Sequence, residues 1–170
     1  MPRAPAFWFR PPGPLARLLA PLGALYAFAT ARRVARPPRR RPGVPVICVG
    51  NLVAGGAGKT PATLLILERL AARGVAAHAI LRGYGSPAAA GPSRRVDPRA
   101  DAAAEVGDEP LLIAGFAPAW VGRDRAACAA AAEAAGAEAL VLDDGFQDPA
   151  LAKDLSLLVV DAETGFGNGF

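Results

Sequence analysis

Short apolar runs recur along the chain, and each ends at a glycine, a loop or an acidic residue. The first run is β-branched and ends at Gly50, and the second leads into a loop that reads RGYGS. Apolar runs of this length, bounded by turn or polar residues, predict buried strands. The four predicted strands are Val44–Val49, Ala76–Leu81, Ala139–Leu142 and Leu155–Val160.

Helical patterns separate these strands. Residues 61–73 are rich in leucine and are followed by Gly74, a residue type common just past a helix end. Asp124 is placed to cap a helix that runs to about Ala135. Further segments are a short helix over Glu109–Ala114, a strand ending near Trp120–Val121, and an irregular excursion over residues 86–105. Strands that alternate with helices predict an α/β fold with a mostly parallel sheet flanked by helices.

The N-terminal arm has a different pattern. Leu18–Ala31 is a run of fourteen residues without charge, which is shorter than the ~20 that a spanning helix needs. We predict a helix that lies on or dips into a membrane, and Pro37, Pro38 and Pro42 end it and mark a linker. Its apolar face would contain Leu15, Leu18, Leu19, Leu22, Leu25, Tyr26 and Phe28, with Phe7 and Trp8 near the interface. The alternatives are a helix packed on the domain's own core, a secretory signal peptide and a nucleic-acid-binding arm.

Charge divides the chain at the same place. The 170 residues carry a net charge of +4, but residues 1–42 contain nine arginines and no acid, whereas the remainder has a net charge of −5. This asymmetry indicates that the arm meets an anionic surface. We therefore divide the chain into a membrane-associating segment, residues 1–42, and one domain, residues 43–170. The two cysteines are far apart, which favours buried, reduced thiols in a cytosolic protein over a zinc site.

The segment GNLVAGGAGKTP after the first strand is a modified P-loop. The usual pattern is G-x-x-x-x-G-K-[ST], and here Val53 replaces the first glycine. The residues nearest the phosphates are intact, and a helix N-terminus follows, which favours phosphate binding. Lys59 can reach the β- and γ-phosphates, and Thr60 can ligate Mg²⁺. The predicted nucleotide-binding residues are Gly55, Gly56, Ala57, Gly58, Lys59 and Thr60.

Acidic residues at other strand and helix ends complete the candidate site. Asp143 and Asp144 follow an apolar strand in ALVLDDGFQ and can provide the second anchor for magnesium, although a solvated Asp-Gly turn is the alternative. Asp108 in VGDEP lies at a predicted helix start, where it is either functional or a helix cap. His78 lies inside a strand-like run and is interpreted as structural.

These blocks, in this order, resemble the tetraacyldisaccharide 4′-kinase family of the lipid A pathway in Gram-negative bacteria. The matching segments are GNLVAGGAGKTP, LRGYGS, VGDEPLLIA, VGRDR, LDDGFQDPAL, KDLSLLVVDAE and FGNGF, and the basic, apolar N-terminal segment is similar to the family's membrane-associating helix. The resemblance implies a P-loop NTPase-type α/β fold and ATP- and Mg²⁺-dependent phosphorylation of the 4′-hydroxyl of a tetraacyldisaccharide 1-phosphate. It places the enzyme at the cytoplasmic face of the inner membrane as a peripheral or monotopic protein.

The resemblance also implies roles for single residues. Lys59 and Thr60 correspond to the phosphate loop, Asp143 and Asp144 to the magnesium-handling acids, and Asp108 to the catalytic aspartate that acts with a later histidine. Weaker candidates for substrate contact are Arg82 and Tyr84. We predict an anionic membrane surface as a partner, no nucleic acid and no obligate protein partner.

Two features depart from the family. Asp148 stands where the family's DGFQH segment usually has histidine, and its charge could alter metal affinity. The family continues for a comparable length beyond Phe170, so we expect an N-terminal fragment with weak or no kinase activity by itself. The rival hypotheses are a P-loop NTPase of the switch or partitioning type, and an inactive nucleotide-binding fragment.

Overall fold

The structure is a computed structural model that describes residues 13–51, 58–162 and 165. Its sheet contains β1 (Val46–Gly50), β2 (Ala77–Leu81), β3 (Arg94–Arg95), β4 (Ala119–Val121), β5 (Ala139–Asp143) and β6 (Leu155–Leu158). The spatial order is β3-β4-β2-β5-β1-β6, and all neighbouring pairs are parallel except β3 with β4. The predicted mostly parallel α/β sheet is confirmed.

Helices cover both faces of this sheet. They are α1 (Pro14–Val34), α2 (Lys59–Ala71), α3 (Ala103–Val106), α4 (Asp108–Ala114) and α5 (Arg125–Ala134). Successive strand residues point to opposite faces, so Val49 packs in the core under α2 and α4, whereas Cys48 packs in the core under α5. The fold is therefore a helix–sheet–helix sandwich, with α1 preceding it.

Three parts of the fold differ from the sequence predictions. Helix α2 begins at Lys59, two residues before the predicted start; Pro61 lies in its first turn, where the missing N–H breaks no intrahelical hydrogen bond. The excursion over residues 86–105 was predicted to be irregular, but it contains a 3₁₀ turn, β3 and α3. Buried Val96 anchors it, and its N–H donates to the Ala119 carbonyl at 2.8 Å. Strand β6 is exposed along its whole length.

Helix α1 projects its apolar side chains into solvent. Only Ala16 is buried, and Leu18, for example, is 74% exposed. Among the described residues, α1 is the one helix whose length and composition would allow it to cross a membrane, with a mean hydropathy of 1.2 over its best window. A signal sequence near the N-terminus would meet the same criteria of length and composition. Within the described chain, α1 does not pack on the domain's own core, so that alternative is not supported.

The linker after α1 is fastened to the domain. The Arg40 N–H donates to the Ala150 carbonyl, and the Arg40 carbonyl accepts from the Ala152 N–H. Arg40 also pairs with Glu133, which accepts a hydrogen bond from the Gly43 N–H as well. The other two linker pairs are Arg39 with Asp124 and Arg41 with Asp154. Of the seven arm arginines that the structure describes, three therefore face carboxylates of the domain.

His78 and the two cysteines are buried among core side chains. The Trp120 indole N–H donates to His78 Nδ1 at 3.2 Å, and the two rings stack. Burial lowers the pKa of His78, so the imidazole is neutral and acts as an acceptor. Cys48 and Cys128 are free and buried, and burial raises the pKa of both thiols. These features agree with the structural interpretation of His78 and with reduced cysteines.

Candidate functional site

The glycine-rich loop ends at Gly58, where α2 begins. Gly58 has a φ of +80°, a left-handed conformation that glycine adopts without strain. Since α2 starts at Lys59, the free N–H groups and the positive dipole end of this helix point towards the carboxyl edge of the sheet. The predicted phosphate-binding residues Gly55, Gly56 and Ala57 lie outside the described residues.

Lys59 connects this helix start to two strand ends. Its ammonium group donates to Asn51 Oδ1 at 2.9 Å and lies 3.7 Å from Asp144 Oδ1. Asn51 directly follows β1, and Asp144 directly follows β5, its neighbour in the sheet. Thr60 lies beside Lys59 in the first turn and is half-buried. The structure thus brings together the lysine, the threonine and one of the two predicted magnesium acids.

Asp143 is the buried acid of the pair. Its side chain is 4% exposed, and Oδ1 accepts a hydrogen bond from Thr63 Oγ1 at 3.2 Å. Burial, and next the charge of Glu109, raise the pKa of Asp143 to about 6, although the Thr63 hydrogen bond acts in the opposite direction. A nearby cation would therefore stabilise the charged form of Asp143.

Asp144 is the exposed acid. It has a φ of +54°, the one positive φ of a non-glycine residue among those described, and its N–H donates to the Val49 carbonyl at 2.9 Å. This left-handed turn sends the Asp144 carboxylate towards Lys59 and solvent while Asp143 stays inside. The two adjacent acids thus have different environments, as expected for residues on opposite sides of a strand end.

The acids suit magnesium. Mg²⁺ prefers oxygen ligands and is usually bound by one or two carboxylates together with substrate phosphates. Asp143 and Asp144 are adjacent carboxylates at the end of β5, and within the described ranges no group of three or more His, Cys, Asp or Glu side chains is arranged to hold a metal ion. Thr63 and Lys59 only partly offset the burial of the Asp143 carboxylate, so its oxygens suit Mg²⁺, whereas the helix N-terminus and Lys59 suit the phosphates. The residues present fit a magnesium–nucleotide complex.

Asp108 lies at the start of a helix that begins next to the loop after β2. It is exposed and is the first residue of α4, with Gly107 before it at a φ of +96°. Glu109, half-buried, lies close enough to Asp143 to raise its pKa. Asp108 thus precedes a residue that is electrostatically coupled to the magnesium pair, and the described contacts do not include one between Asp108 and a predicted site residue.

The RGYG loop packs against the Asp108 loop. A Cβ on Gly83, whose φ is +65°, would lie 2.9 Å from the Val106 carbonyl, and the position of a Cβ on Gly107 lies 3.6 Å from Gly83. The close approach requires glycine at position 83, and the φ of +96° favours glycine at position 107. Arg82 and Tyr84 flank Gly83 and are exposed, so the structure places them next to the Asp108 loop without a described contact to it.

Asp148 has polar partners other than Asp143 and Asp144. Its Oδ1 accepts from the Ala150 N–H at 2.8 Å, and its Oδ2 lies 3.7 Å from Nε of Arg125. Arg125 is 5% exposed and also donates to the carbonyls of Asp143 and Asp144. The charge at position 148 is therefore compensated locally by an arginine.

Sequence reasoning missed three residues of this site. Thr63 follows Lys59 by four positions, so helical spacing could have placed both on the face towards the sheet. Glu109 is adjacent to Asp108, but only the packing of α4 brings its charge near Asp143. Arg125 gives no sequence signal, because nothing in VGRDR distinguishes a buried arginine from an exposed one.

Comparisons with known proteins agree with these features. A family model described as tetraacyldisaccharide-1-P 4′-kinase matches residues 15–170. The chain is 67% identical to the tetraacyldisaccharide 4′-kinase of Dinoroseobacter shibae and 58% identical to that of Jannaschia sp., each match covering 98% of this chain and 50% of the relative. The crystal structure of the "apo" form of LpxK from Aquifex aeolicus in complex with ATP superposes with a TM-score of 0.72 at 28% identity, covering 85% of this chain and 48% of that one. The chain spans about half the length of the curated relatives it matches.

Proposed function

Because the chain belongs to the tetraacyldisaccharide-1-P 4′-kinase family, we propose that it forms the nucleotide-binding half of an enzyme that transfers phosphate from ATP to the 4′-hydroxyl of tetraacyldisaccharide 1-phosphate. The observation that carries this proposal is the convergence of Lys59, Asp143 and Asp144 at the start of α2. Phosphoryl transfer needs mainly alignment and charge neutralisation, which a lysine and an acid pair on a rigid sheet edge can supply.

Each residue then has a distinct task. Lys59 leaves its contacts with Asn51 and Asp144 to bind the β- and γ-phosphates, beside the N–H groups of the glycine loop and α2. Thr60, Asp143 and Asp144 hold Mg²⁺, which when bound neutralises charge on the phosphates. Asp108 accepts the proton of the sugar hydroxyl, a role open to an exposed carboxylate at the start of α4.

Helix α1 is the proposed membrane contact. Its exposed leucines and aromatic residues match the acyl region of a bilayer, and Arg32 and Arg33 in its last turn match anionic headgroups. We place the protein at the cytoplasmic face of the inner membrane, as a peripheral or monotopic protein. The segment 1–42 is then the membrane-associating unit and residues 43–170 the nucleotide-binding unit. Arg82 and Tyr84 stay candidates for contact with the lipid sugar.

The kinase proposal is tested with a chimera that joins this chain to the part of the Dinoroseobacter shibae relative it does not match. The chimera is incubated with labelled ATP and tetraacyldisaccharide 1-phosphate. We expect labelled lipid from the chimera, and a loss of at least about 100-fold in kcat for Asp108→Asn with unchanged ATP binding. The matched control is Glu68→Gln, because Glu68 is also an exposed acid on a helix but lies on α2, whereas Asp108 begins α4. A chimera that binds ATP but transfers nothing to the lipid would refute the proposal, and nucleotide binding alone would favour the non-catalytic alternative.

Membrane binding is tested by vesicle flotation. The chimera should float with vesicles that contain an anionic phospholipid and less with neutral vesicles, because the arginines add attraction only to the former. Replacing Leu18, Leu22 and Leu25 by serine should abolish flotation, whereas serine in place of Leu65, an exposed leucine of α2, should not. Equal flotation of both variants would contradict a role of α1.

A further inference from the structure

Arg125 is a buried charge that none of the roles above uses. It is the first residue of α5, and Asp124 caps that helix by accepting from the Ala126 N–H. The Arg125 guanidinium crosses to the carboxyl end of β5, where Nη2 donates to the Asp143 carbonyl at 3.1 Å and Nη1 to the Asp144 carbonyl at 3.0 Å. One planar group therefore binds two successive peptide units, those that follow the two candidate magnesium acids.

The bound carbonyls belong to a turn that has little stability by itself. Asp144 is in the left-handed region, which costs a non-glycine residue about 1 kcal/mol or more. A Cβ on Gly145 would lie 3.2 Å from Arg125 Nη1 and 3.0 Å from Cys48 Sγ, so the backbone passes close to the guanidinium. Because the direction of a side chain follows from its backbone dihedrals, fixing these peptide planes fixes where the two carboxylates point.

The counter-charge for Arg125 comes from the same turn. Backbone carbonyls are neutral, and a guanidinium that is 5% exposed needs a nearby anion. Asp148 supplies it, with Oδ2 at 3.7 Å from Nε. Lys153 also stabilises the turn, because its ammonium group donates to the carbonyls of Phe146 and Asp148 at 3.1 and 2.9 Å. A neutral side chain at position 148 would supply no such charge.

We propose that Arg125 is a positioning residue that fixes the Asp143–Asp144 turn for magnesium and that Asp148 is its counter-charge. This inference rests on the proposed function in so far as the acids bind a magnesium–nucleotide complex, but it does not require phosphate transfer. Arg125 acts through the peptide groups and touches neither metal nor nucleotide. The fixed turn places the Asp144 carboxylate 3.7 Å from Lys59, so a Mg²⁺ ion held by the acids would lie close to the phosphates that Lys59 binds.

The test measures Mg²⁺-dependent binding of a fluorescent ATP analogue to the chimera, with Mg²⁺ titrated at fixed nucleotide. Arg125→Met should raise the Mg²⁺ concentration for half-maximal binding by about tenfold or more, the range seen when supporting partners of metal ligands are removed. Arg125→Lys should raise this Mg²⁺ concentration less, since lysine retains the charge but loses the planar guanidinium that binds both carbonyls. Asp148→Asn should give a smaller increase still, and the double variant Arg125→Met/Asp148→Asn no more than Arg125→Met alone.

Hydrogen exchange in metal-free buffer gives an independent readout. Exchange over residues 143–148 should accelerate in Arg125→Met relative to the rest of the sheet. Arg73→Met is the matched control, because exposed Arg73 also donates to a backbone carbonyl, that of Arg69, but at the far end of α2. If Arg125→Met lowers only the free energy of unfolding and leaves the Mg²⁺ requirement within about twofold, Arg125 is merely structural and the proposal fails. Failed lipid phosphorylation with the Mg²⁺ shift intact would instead overturn only the proposed function.

Discussion

Replacing the buried Asp143 by asparagine should stabilise the metal-free protein at neutral pH. The pKa of Asp143 is about 6 in the folded chain, against an ordinary value of 3.8, chiefly because of burial. A shift of about two units corresponds to about 3 kcal/mol at 1.36 kcal/mol per unit, and with 4% exposure little of it is screened. The asparagine side chain would retain an oxygen to accept from Thr63 Oγ1, so the substitution removes the charge and keeps the shape.

The sign follows from proton linkage. Between about pH 4 and 6 the folded chain retains the Asp143 proton that the unfolded chain has released, so raising the pH favours the unfolded state. Asp143 therefore lowers the free energy of unfolding least below about pH 4 and most above about pH 6. We expect Asp143→Asn to raise the free energy of unfolding by about 1–3 kcal/mol at pH 8 and by much less at pH 4. The gain at pH 8 can be smaller than the full shift because the neutral asparagine accepts a weaker hydrogen bond than the carboxylate.

Urea unfolding of both proteins at pH 4, 6 and 8, with a chelator present, measures this difference. Asp144→Asn is the matched control, because the Asp144 side chain is 64% exposed and its replacement should change stability by less than about 0.5 kcal/mol. An Asp143→Asn variant that is less stable than the original at pH 8, or a difference that does not depend on pH, would refute the reasoning. In the presence of Mg²⁺ and ATP the order should reverse, because the variant loses a magnesium ligand.

Three other predictions concern separate parts of the molecule. Lys59→Ala should abolish the rise in melting temperature that ATP gives, and an unchanged rise would refute the phosphate-binding role. Gly122→Ala should cost about 2 kcal/mol in urea unfolding, because its Cβ would lie 2.9 Å from the Ser93 backbone; full stability would contradict this packing. Burial alone would raise the pKa of Glu133, but hydrogen bonds from Arg40 and a backbone N–H outweigh it and lower the pKa. Glu133→Gln should therefore cost about 1 kcal/mol at pH 7 and progressively less in acid, because the Glu133 contribution is lost as the pH falls through its lowered pKa; a cost that does not depend on pH would contradict it.

The strands and the parallel sheet could be predicted because burial on both faces leaves continuous apolar runs, as in Val46–Gly50 and Ala139–Asp143. The positions of Lys59 and the acid pair followed from the same reasoning, since ligand-binding residues gather at carboxyl ends of strands. The order of the strands could not be predicted, and it is the pairing of β1 with β5 that places Asp144 beside Lys59.

Features that depend on contacts between distant segments gave no sequence signal. The nine arginines of the arm are alike in the sequence, yet Arg40 pairs with Glu133 while Arg32 and Arg33 remain on the exposed helix. The apolar run of β6 predicts burial, yet its position at the end of the sheet leaves it exposed. Burial of Arg125 likewise depends on how α5 lies over β5, which composition and periodicity do not determine.

The division of labour between the two adjacent acids explains why the turn needs support. A carboxylate that binds a cation tightly should be poorly solvated beforehand, and this condition makes Asp143 unfavourable in the metal-free protein. An exposed partner such as Asp144 costs little, but it binds in a useful direction only if its backbone is held. The sheet buries Asp143, and Arg125 of α5 fixes the backbone of the turn through its hydrogen bonds to the two carbonyls. Destabilisation and orientation therefore come from different elements, so Asp143→Asn should alter stability and its pH dependence, whereas Arg125→Met should alter orientation and the Mg²⁺ requirement.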